Sequence, residues 1–243
     1  MRPLPLADIL YSQGFGTRRI CAGLLQHGHV SVAGRLVQNP LEEADPQGFI
    51  FSVDGVEWEY HEKAYLLLHK PAGYECSQKP SAYPSVYTLL PAPLRQRPVK
   101  GGTPGVQAIG RLDADTTGLL LFSDDGVFIH RMGSPRHHVP KVYEVEAKHA
   151  VTPAQVDKLL AGVTLEDDPK PVRAAACEIT GENALSLTLT EGKYHQVKRM
   201  VAAVGNRVER LHRSRIGGVS LPTDFAPGAW RWLREADLAA LRS

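Results

Sequence analysis

The chain has 243 residues, of which 43% are apolar and 22% charged, with a formal net charge of +2. That length suits one large domain or a small domain joined to a larger one, and the apolar content excludes a disordered or low-complexity chain. The sequence lacks a membrane-length apolar run, a signal-peptide pattern and any CxxC pair, so a soluble cytoplasmic protein without membrane contact, zinc or a disulfide framework is expected.

Residues 1–60 read as a separate small unit, and 61–243 as the main domain. Leu6, Ile9 and Leu10 recur at helical spacing until Gly14 and Gly16 break the segment. Thr17 to His27 fits a second helix, with Thr17 as N-cap and Gly28 as the stop. HVSVAGRLV follows as a tight hairpin around Ala33-Gly34, and Phe49 to Val53 as one more strand. A polar linker is expected over Glu57 to Lys63.

AYLLLHKP is short and apolar, which predicts a core strand stopped by Pro71. A short helix at Ser85 to Leu90 and a long mobile loop are expected within Lys79 to Gly105. Strands fit Val106–Ile109, Gly118–Phe122, Lys141–Ala147, Val172–Ile179 and Ala184–Thr190. Helices fit Gly126–Met132, Pro153–Gly162, Tyr194–Val204 and Glu235–Leu241. Without regular βαβ alternation, this mixture predicts an α+β domain with a mostly antiparallel sheet, beside a small N-terminal α/β unit.

The stretch GRLDADTTGLLLFSDDG, Gly110 to Gly126, sets Asp113 and Asp115 one residue apart ahead of an apolar run. On an extended backbone both carboxylates face one way, as a divalent metal or a glycoside hydrolase would need. Both acids also fit a simple turn. Asp124 and Asp125 read as turn and helix-cap residues. His130, His137, His138 and His195 do not complete a metal-ligand set, so no metal is expected. Lys193 to Arg215 holds seven Lys/Arg against one acid, Glu209, which suits either a solvated face or a phosphate-facing one.

GRLDADTTGLLL resembles the signature motif of the pseudouridine synthases that modify ribosomal RNA. SPRHHVPKVYEVE and EGKYHQVKRMVAAVGNRVERLHRSRIGG resemble two further motifs of that family, and the N-terminal unit resembles an S4-type RNA-binding domain. The HQVKRM and LHRSRIGG pieces are most similar to the small-subunit (16S) rRNA enzymes. The resemblance implies that Asp113 is the catalytic aspartate, Tyr143 lies against the target base and Lys198 pairs with Asp113. It also implies base flipping, no cofactor, and 16S rRNA or the assembling small ribosomal subunit as partner. A monomer is expected.

Arg18, Arg19 and Arg35 fall where the S4 module displays its basic face. Arg111, two residues before Asp113, is placed to fill the vacated stack or hold a phosphate. Arg136, His137, His138, Arg199, Arg207, Arg210, His212, Arg213 and Arg215 are expected on an RNA-facing surface. Two features depart from the family pattern: the usual Arg-Leu-Asp-Lys opening of the S4 unit is replaced by Pro5-Leu6-Ala7-Asp8, and Pro91 to Gly105 has no clear counterpart.

Overall fold

The computed structural model describes residues 2–165 and 168–242. They divide into two units: Met1–Tyr65 with Leu90–Gln107 and Ser123–Asp125, and Leu66–Leu89 with Ala108–Phe122 and Gly126–Ser243.

The first unit holds β1 (Leu4–Pro5), α1 (Leu6–Gln13), α2 (Arg18–Gln26), β2 (Val30–Val32), β3 (Arg35–Leu36), β4 (Glu43–Ala44), β5 (Ile50–Val53), β6 (Val56–Glu59) and α3 (Ala92–Gln96). Thr17 caps α2 by accepting a hydrogen bond from the Ile20 N–H, satisfying one of the free donors of the first turn. The hairpin at Ala33-Gly34 forms with φ +48° and +78°, the left-handed pair that a two-residue turn between twisted strands requires. Asp54-Gly55 repeats this geometry between β5 and β6. The expected linker over Glu57 to Lys63 therefore starts as a strand. Trp58 turns inward from β6, while its charged neighbours on both sides face out and give the segment its linker-like composition.

Segment 91–105, expected as a loop, contains α3 and sends Arg97 into the core of this unit, where it is 1% exposed. Its guanidinium donates to Asp124 Oδ2 (2.6 Å), Gln13 Oε1 (2.9 Å) and the carbonyls of His61 (2.8 Å) and Glu62 (3.1 Å). Asp124 also accepts from the Ala64 N–H at 2.8 Å, and Asp125 from the Tyr65 hydroxyl at 2.8 Å. These acids are internal anchors of the first unit as well as turn residues.

The second unit is built on a sheet of nine strands among the described residues. They are β7 (Tyr65–Lys70), β8 (Gln107–Ile109), β9 (Thr117–Ser123), β10 (Lys141–Ala147), β13 (Ala176–Gly181), β14 (Ala184–Leu189), β15 (Val208–Ile216), β16 (Val219–Ser220) and β17 (Trp230–Trp232). A separate pair joins β11 (Val163–Leu165) to β12 (Asp168–Val172). The main path runs β13-β14-β10-β15-β9-β7-β17, with β16 on β15 and β8 on β9. Pairing is mostly antiparallel, but β15 and β9 run parallel, Arg213 opposite Gly118. Leu66–Leu68 and Leu119–Phe122 are fully buried, as uninterrupted apolar runs in interior strands should be. Helices α4 (Gly126–Gly133), α5 (Pro153–Ala161), α6 (Gln196–Ala203) and α7 (Glu235–Ala240) complete an α+β fold.

Two strand expectations need correction. Val172–Ile179 is split between β12 and β13. The basic stretch hides a nine-residue strand, β15, whose charged residues break the apolar alternation that signals a strand.

Candidate active site

The loop between β8 and β9 carries both acids. It begins at Gly110 with φ +63°, a conformation that side chains with a Cβ rarely adopt. The Asp113 carbonyl then accepts the Thr116 N–H at 3.1 Å, closing a turn. Gly118 leaves the loop flat against β15, where a Cβ would stand 2.3 Å from the Arg213 carbonyl oxygen.

Buried donors fix this loop from beneath. The Lys70 ammonium, fully buried, donates to the carbonyls of Pro71 (3.0 Å), Ala114 (3.1 Å) and Thr116 (2.8 Å). Burial pulls the Lys70 pKa below its ordinary value, against the opposing charges of Cys76, Asp115 and Asp113. The Gly73 N–H donates to the Ala114 carbonyl at 2.8 Å, and the Leu112 N–H to Cys76 Sγ at 3.5 Å. Arg213 donates to the carbonyls of Gly110 (2.7 Å) and Leu119 (2.8 Å) and reaches the Tyr143 hydroxyl at 3.5 Å.

A cleft of about 840 Å³ opens over the loop, lined by Arg111, Asp113, Lys141, Tyr143, His195 and Arg213 among others. Within it Asp113 lies between two partners: Lys198 Nζ is 3.1 Å from Oδ2, and His195 Nε2 is 3.3 Å from Oδ1. Lys198 also donates to both oxygens of Asp115, at 2.7 and 2.9 Å. One ammonium thus joins both acids of the motif. For Lys198, burial lowers the pKa, but hydrogen bonds to Asp115 and Asp113 outweigh it and the net shift is upward. For Asp115, burial works against ionisation, and the Lys198 contact and charge bring its pKa below the ordinary range. The arrangement can hold a directed carboxylate within the cleft.

Tyr143 stands on β10, only 8% exposed, with the Arg213 guanidinium carbon 5.9 Å from its ring centroid. Lys141, on the same strand, donates to the Val139 carbonyl at 3.1 Å. Burial, reinforced by the charge of Arg213, pushes its pKa down to about 8.

Arg111, Arg136 and His137 are exposed, as are Arg18, Arg19 and Arg35 on the first unit. Arg18 pairs with Asp8 and lies over the Tyr11 ring, and Arg35 pairs with Glu42 at 2.5 Å. Arg199 is half-buried and donates to the Tyr194 carbonyl at 3.1 Å. The expectation for Arg213 is corrected: it is 1% exposed, with its donors directed at the loop, so it supports the site from within. His212 likewise turns from the surface. Its Nδ1 is 2.8 Å from Thr117 Oγ1, and its ring packs on His69. Burial and then the neighbouring His69 hold its pKa down.

Sequence reasoning missed Lys70 and the contact of His195 with Asp113. Lys70 reads as the end of an apolar strand, and His195 gave only a weak metal signal.

The RNA pseudouridylate synthase family model matches residues 64–203, and the S4 domain model matches residues 4–46. The chain is 38% identical over 235 residues to ribosomal small subunit pseudouridine synthase A of Escherichia coli K12, covering 96% of this chain and 98% of the relative. It is 37% identical over 241 residues to an uncharacterised RNA pseudouridine synthase of Bacillus subtilis, covering 97% of each. A crystal structure of a pseudouridylate synthase superposes with a TM-score of 0.67 at 32% identity, covering 98% of this chain and 99% of the other. Matched along nearly its whole length, with a paired aspartate on its signature loop, the chain belongs to the RNA pseudouridylate synthase family.

Proposed function

We propose that this protein isomerises one uridine of 16S rRNA to pseudouridine, on the RNA itself or on the assembling small subunit. The observation that carries the reading is Asp113, held between Lys198 and His195 inside the cleft. Pseudouridylation breaks the N1–C1′ bond, turns the freed base and joins C5 to C1′. The proton lost from C5 is balanced by one gained at N1, so nothing is oxidised and no cofactor or metal is needed.

A stacked uridine cannot reach Asp113 without leaving the helix. The base is flipped into the cleft against the ring of Tyr143, whose hydroxyl faces C5. Arg111 at the rim fills the vacated stack or holds the adjoining phosphate. Lys198, paired with Asp113 at 3.1 Å, keeps its carboxylate aimed at the sugar. The S4 unit, with Arg18, Arg19 and Arg35 exposed, docks on folded RNA, while Arg136, His137 and Arg199 add contacts beside the cleft. The protein works as a cytoplasmic monomer, with an N-terminal RNA-binding domain over residues 1–60 and the catalytic domain over 61–243.

The test is incubation of wild-type protein and Asp113→Asn with 16S rRNA, followed by mapping of pseudouridine. Wild type is expected to produce a single modified position and the variant none. Product from a folded Asp113→Asn protein overturns the assignment of the aspartate, and absence of wild-type product overturns the substrate.

A further inference from the structure

We propose that Tyr194 is a landing platform for a nucleobase flanking the target uridine, so that the cleft reads a neighbour as well as the base it converts. This deepens the function proposed above and rests on it. Tyr194 lines the same cleft as Asp113, yet it is 76% exposed, while the other tyrosine placed at the reaction, Tyr143, is 8% exposed. An aromatic ring left this open beside the site has not been spent on the core.

Its ring contact among the described residues is directional. Tyr194 lies on the imidazole of His195 with ring centroids 3.7 Å apart and planes at 23°. That imidazole reaches Asp113 Oδ1 at 3.3 Å through Nε2. His195 takes up φ +48°, ψ 32° as the residue before α6, a left-handed conformation uncommon for residues other than glycine. Left-handed backbone at such a position persists where its surroundings enforce it, and here it sets two rings face to face at the cleft mouth.

The stack is therefore open at its Tyr194 end and attached to the reacting carboxylate at its His195 end. Flipping a uridine unstacks its neighbours, and an unstacked base offers a π-face that an aromatic side chain accepts in place of the lost partner. A base arriving on Tyr194 extends the pile to three rings. It presses His195 against Asp113 at the moment the uridine enters. Tyr194 acts on binding, whereas His195 is a positioning residue for the carboxylate.

Kinetics on a 16S rRNA fragment test the assignment, with RNAs made abasic one position at a time around the target uridine. Replacing the ring in Tyr194→Ala should raise KM about tenfold, as loss of one base–aromatic stack does, while kcat falls less than about threefold. Tyr194→Phe and Tyr194→Trp should stay near wild type. At one flanking position the abasic RNA should weaken wild type by about the same factor and add no further loss to Tyr194→Ala.

A loss confined to kcat overturns the platform and leaves Tyr194 as a prop for His195. An unchanged KM, or independent losses at every flanking position, overturns it too. A wild type inactive on this fragment sinks the substrate proposed above. In that case the same RNA series, read as equilibrium binding to wild type and Tyr194→Ala, decides the platform separately.

Discussion

The guanidinium of Arg213 is bound to the carbonyl of Gly110 at 2.7 Å, so a residue late in the chain holds the start of the loop that carries Asp113. The same side chain reaches the Leu119 carbonyl and the Tyr143 hydroxyl, which needs a planar group with donors pointing several ways. Arg213→Lys keeps the charge but leaves at least one buried acceptor unmet. Unfolding in denaturant should show a loss of about 2–3 kcal/mol, accompanied by a fall in kcat. A variant as stable and active as wild type would show that the fork is dispensable.

Asp113 and Asp115 share one ammonium, but of the two only Asp113 lines the cleft over the loop. Asp115→Asn leaves Lys198 paired with Asp113, and kcat should fall about tenfold. Asp113→Asn should cost at least about a thousandfold. Equal losses from single-turnover measurements would favour two cooperating carboxylates.

Lys70→Met removes the donor for three carbonyls of the loop and its approach. Thermal and denaturant unfolding should register about 3 kcal/mol of destabilisation. Activity should drop at temperatures where the variant is still folded, because the loop loses its fixed shape. Full activity in the folded variant would mean that the remaining contacts suffice.

Lys141 gives a pH signature. Its pKa in the folded protein is about 8, below the ordinary 10.5, because it is buried and beside Arg213. Between those values the native state has shed a proton that the unfolded chain still holds. Stability should therefore rise with pH across that window. Lys141→Met should flatten this rise, as measured by denaturant unfolding at pH 7.5, 9 and 10.5. An unaltered slope would assign the effect to another group.

Much of this was legible in the sequence where a local pattern fixed the outcome. LLLF and YLLLH read as buried strands because such short apolar runs have few alternatives, and the glycine turn at 34 is set by backbone stereochemistry. The acidic pair was legible as chemistry through its motif, though not through its spacing, which a turn would fit as well. The sequence hid what depends on long-range burial. Arg213 and Arg97 look like surface cations until the sheet and the first unit close around them. His195 approaches Asp113 from a left-handed backbone position before α6, and nothing in KYHQVK announces that.

Arg97 also bears on the order of events during synthesis. Its partners Gln13, His61, Glu62 and Asp124 are strung along more than a hundred residues of the chain, and the unit they complete extends to Asp125. When residue 65 leaves the ribosome, Gln13 and the two carbonyls still wait for a guanidinium, and that guanidinium waits for its carboxylate. At ~5–20 residues per second the missing pieces arrive roughly 3–12 seconds later. A nascent chain stalled before Asp125 should be markedly more open to protease around α1 than one stalled well beyond it.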